Sequence, residues 1–159
     1  LKEVEDINEA RFLLGEIIVL GTYIKRKSNL IFIGREKKVI DIDELKLCLN
    51  ETSSNLCLCG IDAKMIVDIK KEYPIGIIHK IYDYLEDILE ISFSSLKSIL
   101  FCVYEEKGVI QVNATVDANS NFKKLKKIYP SVEIEKDEDE LWYLTLKIKE
   151  GDYHEPESI

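Results

Sequence analysis

In the stretch "EARFLLGEIIVLGTYIKRKSNL", residues 9–30, apolar side chains recur at spacings of three and four residues. This period predicts one long amphipathic helix from residue 3 to about residue 33. The apolar band is wide and consists of two adjacent stripes: Ala10, Leu13, Ile17, Leu20 and Ile24 in one, and Leu14, Ile18 and Gly21 in the other. One neighbouring helix cannot bury a band of that width, so we expect a helical bundle that two chains share.

The composition of the 159-residue chain is that of a soluble globular protein, with 46% hydrophobic and 33% charged residues. The net charge of -8 argues against nucleic acid or an anionic membrane surface as the main partner. No run of about 18 apolar residues is present, so we expect no membrane span and no membrane contact from this chain. Because it starts at Leu1 without a signal-peptide pattern, we expect a fragment of a longer protein.

The four cysteines do not have the spacing of a metal site. Cys57 and Cys59 are separated by one residue, which is too short for a paired zinc knuckle, and His79 and His154 lie far away in the sequence. We therefore predict buried free thiols in a reducing cytoplasm at Cys48, Cys57, Cys59 and Cys102, and no metal site.

Two interpretations remain open for "LIFIGREKKVIDI", residues 30–42. Gly34 interrupts the helical pattern, so this segment is either the end of the long helix or a short hairpin around Arg35-Glu36. A second helix should follow, with Asp43 as its N-cap and Gly60 at its C-terminal cap. Its apolar stripe consists of Leu45, Cys48 or Leu49, Thr52, Leu56 and Cys59.

The pattern changes from helical to alternating after Ile61. It predicts a strand to Ile69, a helix that starts at Pro74, two strands in "SILFCVYEEKGVIQVNATVDA" and a short basic helix, Phe122 to Tyr129, before a closing hairpin. The fold class is therefore α+β: an N-terminal helical hairpin followed by a two-layer α/β sandwich with a mixed sheet. The expected domains are a helical dimerisation-type region 1–60, an α/β domain 61–150 and a frayed tail 151–159.

The helical stretch contains Arg11-Phe12-Leu13-Leu14-Gly15, which is similar to the His-Asp-x-Leu-Gly string that opens the first helix of many sensor histidine kinases. The order of elements also resembles the C-terminal region of those kinases. Residues 1–60 would be the dimerisation hairpin, and residues 61–150 the ATPase-like domain shared with gyrase and MutL. "ELKLCLNETSSNLCLCGIDAKMIVDI", residues 44–69, is similar to kinase-like proteins of clostridial type.

The resemblance implies a phosphoacceptor histidine at the position of Arg11 and an orienting acid at the position of Phe12. A guanidinium stays protonated and has no lone pair with which to attack phosphorus. Autophosphorylation at this position should therefore be absent, and we expect no catalytic residue on this helix.

The Glu-x-x-x-Asn motif of the resembled family falls on Glu86 and Glu90 in "YLEDILEIS". A carboxylate can ligate Mg²⁺, so Glu90 would be the metal ligand if ATP binds. The plain interpretation is that both glutamates lie on the solvated face of an amphipathic helix.

The adenine-reading Asp-x-Gly of the family has its nearest match in Asp117-Ala118-Asn119, where Asp117 can equally be a turn residue. No glycine occurs between Asn121 and Leu141, so the glycine-rich phosphate loop is missing. Lys123 and Lys124 would have to replace that loop by their charge. The residues that could bind nucleotide are therefore Glu86, Glu90, Asp117, Lys123 and Lys124.

Two functional hypotheses follow. The first is a signalling module of a cytoplasmic protein, or of the cytoplasmic part of a membrane-anchored sensor, with a degenerate catalytic site. It would form a homodimer and dock a response regulator or a partner kinase, without a cofactor. Its dimer interface would consist of Leu13, Leu14, Ile17, Ile18, Leu20, Gly21 and Ile24. The alternative is an active or conditional histidine kinase domain that binds Mg-ATP through altered ligands; a third possibility is an α/β domain of another family.

Overall fold

The computed structural model describes residues 1–149 of the chain. The first two helices, α1 (Lys2–Glu36) and α2 (Ile42–Leu58), run antiparallel and are joined by a short strand, β1 (Val39–Asp41). The elements that follow are β2 (Asp62–Asp68), β3 (Glu72–Pro74), α3 (Ile75–Ser92), β4 (Ser98–Glu106), β5 (Val109–Asp117), α4 (Leu125–Ile128), β6 (Glu133–Lys136) and β7 (Trp142–Lys149), with 3-10 turns at Phe93–Ser95 and Phe122–Lys124.

The five longer strands form one mixed sheet in the order β2-β4-β5-β7-β6. Strands β2 and β4 are parallel because α3 connects them, and the other neighbours are antiparallel. Along β4, β5 and β7 every second residue is buried, so one face of the sheet packs on the helical layer and the other faces outward. The predicted α+β fold class, a helical hairpin followed by a two-layer sandwich with a mixed sheet, is confirmed.

The segment 30–42 does not form the hairpin that its alternation allowed. Helix α1 continues through Gly34 to Glu36, and the Lys37 N–H still donates to the Ile33 carbonyl at 2.9 Å. Strand β1 pairs with β3, 30 residues or more further along the chain, in register Ile40↔Tyr73. The hairpin interpretation is wrong because Leu30, which is 1% exposed, is buried on the inner face of the helix.

The ends of α2 correct one predicted cap and confirm the other. Asp41, not Asp43, is the N-cap: its carboxylate accepts the Asp43 backbone N–H at 2.9 Å. Gly60 follows the C-cap residue Cys59 with φ +81°, a conformation that glycine adopts without strain. Pro74 directly precedes α3 and is its N-cap residue.

The cysteines are free thiols, but the prediction that all of them are buried is wrong. Cys48 is buried on the α2 stripe, Cys102 is half-buried, and Cys57 and Cys59 are exposed. Cys59 follows the last residue of α2 and so leaves the buried stripe, which ends at Leu56. The predicted tail 151–159 lies outside the described residues, and no helix in residues 1–149 is long and apolar enough to cross a membrane.

Candidate functional site

Helix α1 has an inner face that packs on α2 and α3. Phe12 lies against Phe93 with ring centroids 5.1 Å apart, and Tyr23 lies against Tyr82 at 5.1 Å. Gly15 is buried beside Cys59, whose Sγ would be 2.5 Å from a Cβ at this position. The inner face therefore requires aromatic rings at two positions and the absence of a side chain at a third.

The basic run at residues 25–27 ties this inner face to the other two helices. Arg26 forms an ion pair with Glu51 of α2, and Lys27 forms one with Asp83 of α3. The Tyr23 hydroxyl also donates to Asp83 Oδ1 at 2.8 Å. Lys25 also lies 3.8 Å from Glu51, so all three basic side chains are engaged within the chain by partners on the facing helices.

A row of carboxylates on α3 lies along the contact with α1. Asp83 has the two α1 partners, and Asp87 accepts the Tyr129 hydroxyl at 2.6 Å. Glu86, between them, has no hydrogen bond or ion pair within residues 1–149. Burial, with repulsion from Asp87, Glu90 and Asp83, raises the pKa of Glu86 from 4.5 to about 7.

Sequence reasoning missed Asp83, Asp87, Tyr23 and Tyr129. A usable pattern was nevertheless present: Tyr23 and Lys27 are four residues apart on α1, and Asp83 and Asp87 are four residues apart on α3. Side chains with this spacing share one helix face, so complementary pairs on two helices indicate a contact between them.

The predicted nucleotide-binding residues are spread over different surfaces. Glu86 faces the contact with α1, whereas Glu90, one turn later, is exposed. Asp117 follows the buried Val116 in β5, so by strand alternation it lies on the sheet face opposite the helices. Lys123 and Lys124 are exposed in the 3-10 turn after β5.

The surroundings of these residues show no ready metal site. In the part of the chain that the structure describes, no group of three or more histidine, cysteine or acidic side chains is placed to hold a metal ion. Arg11 is exposed on α1. An open groove of ≈ 710 Å³ lies at the other end of α1, between Phe32, Ile40 and Glu44, and none of the predicted nucleotide ligands lines it.

The outer face of α1 is apolar and open to solvent. All seven residues predicted for the dimer interface are exposed, from Ile18 at 46% to Ile17 at 65% among the large side chains. A Cβ at Gly21 would meet no atom within 4 Å. Further exposed apolar side chains extend this face in both directions, at Val4, Ile7, Ile31 and Phe32.

No protein-family model matches the chain, and no curated protein matches it. Among solved structures, it is similar to the histidine kinase AdeS of Acinetobacter baumannii, with a TM-score of 0.49 and 9% identity over 88% of this chain and 83% of the kinase. It is also similar to a bacterial phosphotransferase, with a TM-score of 0.47 and 8% identity over 92% of this chain and 97% of the other. At TM-scores below 0.5, these likenesses assign neither a family nor an activity.

Proposed function

We propose that this chain is a signal-transduction module that forms a homodimer through the outer face of α1 and acts by protein interaction. In this proposal, residues 1–60 are the dimerisation region and residues 61–150 a kinase-like domain with a degenerate catalytic site. The docked partner is a response regulator or a partner kinase, as in the sensor histidine kinases that the sequence resembles.

The observation that carries the proposal is the exposure of large apolar side chains along one side of α1. Leu13, Leu14, Ile17 and Ile24 are each at least half exposed, although the opposite side of the same helix is packed. Soluble monomers rarely expose a contiguous apolar patch of this kind, and such patches mark interaction sites. A second copy of the chain covers the patch most simply, because it presents the same surface.

The placement of the candidate ligands supports a role without phosphoryl transfer. Arg11 offers no nucleophile, and the two glutamates of the predicted motif, Glu86 and Glu90, differ in burial. Asp117 lies on the sheet face opposite the helices. A triphosphate site needs these groups to converge, with donors for its phosphates.

A matched pair of variants tests the proposal. Ile17→Asp puts a charge in the middle of the outer face of α1, and Leu58→Asp puts one on an exposed leucine at the end of α2. Burying an unpaired carboxylate in an apolar interface is strongly unfavourable. Light scattering should therefore give a one-chain mass for Ile17→Asp and a two-chain mass for Leu58→Asp.

The same masses for both variants would contradict the proposed interface. Circular dichroism should show unchanged helix content in both, because each leucine or isoleucine is already exposed in the single chain and its replacement leaves no cavity.

A further inference from the structure

We propose that the two α1 helices of the dimer pair in antiparallel orientation, through one seam of the outer face. This inference rests on the proposed dimerisation and specifies the partner surface: a second copy of α1 running in the opposite direction.

The seam has the spacing of a coiled coil. Starting at Ile7, exposed residues recur at alternating steps of three and four for four heptads: Ile7, Ala10, Leu14, Ile17, Gly21, Ile24, Ser28 and Ile31, followed by Arg35. A repeat of 3.5 residues keeps a seam facing one partner helix along its whole length. From Ile7 to Ile31 the seam is about 36 Å long at 1.5 Å per residue.

The sizes of the seam residues favour the antiparallel arrangement. In an antiparallel pair whose two-fold axis lies midway between Ile17 and Gly21, each Ile17 lies against Gly21 of the second copy. The same pairing places Ile7 against Ile31 and Leu14 against Ile24. Each isoleucine at position 17 then fills the open space over a glycine. A parallel arrangement pairs each residue with its own copy, so Gly21 faces Gly21 and leaves a void in the centre of the seam.

The charges of α1 favour the same arrangement. The first half of the helix, to Glu16, carries five carboxylates and two basic side chains. In the second half, the basic run at residues 25–27 is paired with Glu51 and Asp83 of the same chain, which leaves Arg35 as the basic side chain without an ion pair in residues 1–149. Antiparallel pairing aligns opposite helix dipoles and keeps the two acidic first halves apart, whereas parallel pairing places these two acidic halves side by side. At the ends of the seam, Glu3 meets Arg35 of the second copy instead of Glu3 meeting Glu3.

These end charges are available for the contact. Neither Glu3 nor Arg35 has an ion pair with any residue in the range 1–149, and both are exposed. One flanking contact opposes the arrangement, because Arg11 lies near Lys25 of the second copy. Both of these side chains are exposed and long enough to turn their charges into water, so this repulsion is small.

Cross-linking between two variants that each expose one cysteine tests the orientation, and the buried Cys48 is kept in both. In the full chain with Cys57→Ser, Cys59→Ser and Cys102→Ser, one preparation carries Ile7→Cys and the other, with a mass tag, carries Ile31→Cys. A short bismaleimide should link the two kinds of chain in the mixture. We expect at least about tenfold more of this mixed product than of either like-with-like product, because like cysteines are about 36 Å apart in the antiparallel seam.

The outcomes separate this inference from the proposed function. Like-with-like products in each preparation, with a two-chain mass, would overturn the antiparallel orientation and leave the dimer intact. A one-chain mass without any cross-linked product would overturn both the orientation and the proposed dimerisation. A two-chain mass without cross-links at either position would place the contact elsewhere and overturn the seam.

Discussion

The two sides of α1 are both apolar in sequence but differ in what surrounds them. The inner side has specific partners: Leu30 is 1% exposed, Tyr23 and Lys27 bind Asp83, and Gly15 lies against Cys59. The outer side has open space, and its Ile17 is 65% exposed. The inner side of the helix therefore fixes the fold of a single chain, and the exposed outer side is the surface that we propose binds a second copy.

The largest expected contrast comes from truncating one leucine or isoleucine on each side. Leu30→Ala should lower the free energy of unfolding by about 3 kcal/mol, because it leaves a cavity in the packed core. Ile24→Ala, at a site that is 55% exposed, should change the free energy of unfolding by less than about 0.5 kcal/mol in dilute solution, where the proposed dimer dissociates. Urea unfolding at low protein concentration measures the change in the free energy of unfolding for both variants. Equal losses of stability would mean that the outer side of α1 is packed as tightly as the inner side.

Added bulk at the two glycines of α1 should act in opposite directions. Gly15→Val should destabilise the chain by about 2 kcal/mol, because its side chain overlaps Cys59. Gly21→Ala should stabilise the monomer by about 1 kcal/mol, because alanine favours the helix and its Cβ meets no atom. Thermal unfolding of the two variants compares them directly. A loss of stability in Gly21→Ala at low concentration would show that the outer side is packed within the single chain.

The sequence predicts α1 and the fold class, but not which side of α1 is buried. The spacing of apolar residues in α1 is sufficient to predict a helix with a wide apolar band. A helix that is apolar on both sides, however, gives no indication of which side the chain itself buries. The fold class followed from the change from helical to alternating patterns at Ile61. The ribbon of β1 and β3 was not predictable, because a three-residue strand has too few residues to show alternation.

The site was less predictable than the fold, for a physical reason. Glu86 and Glu90 occupy the same helix four residues apart, so the sequence assigns them to one face. In the folded chain Glu86 is half-buried and Glu90 is exposed, and this difference depends on tertiary packing that the sequence does not show. The N-cap of α2 is equally ambiguous in the sequence, because Asp41 and Asp43 are both suitable capping residues. Only the backbone geometry shows that Asp41 is the N-cap.

The pH dependence of stability should reveal the half-buried carboxylate of Glu86 on α3. Because the folded-state pKa of Glu86 is raised from 4.5 to about 7, its favourable contribution is fully present below pH 4.5 and is lost as the pH rises through 7. Glu86→Gln should therefore stabilise the chain by about 2 kcal/mol at pH 8 and have little effect at pH 4.5.

The matched control is Glu90→Gln, which removes an exposed carboxylate one turn later on the same helix. His79, whose pKa is lowered by burial to about 4, contributes to stability with the opposite pH dependence. Because His79 is present in both proteins, its contribution cancels when the free energy of unfolding of the unmodified chain is subtracted from that of the variant. Urea unfolding at pH 4.5 and pH 8 supplies the free energies. Equal effects of the two substitutions would mean that Glu86 is solvated.

Magnesium-ATP should have the smallest effect, because the predicted nucleotide ligands do not converge. We expect no shift in the unfolding temperature at millimolar nucleotide. A ligand at 100 times its dissociation constant would add about 2.7 kcal/mol, which is a shift of several degrees for a chain of this size. Such a shift, abolished by Asp117→Asn, would instead support the alternative of an ATP-binding kinase domain.

We propose that the outer side of α1 is an interface between two copies of the chain. Sedimentation equilibrium of the unmodified protein over a range of concentrations tests it most directly. We expect a mass of twice the 18.4 kDa of one chain, which falls toward the mass of a single chain on dilution. A mass of 18.4 kDa at every concentration, up to the highest that remains soluble, would contradict it.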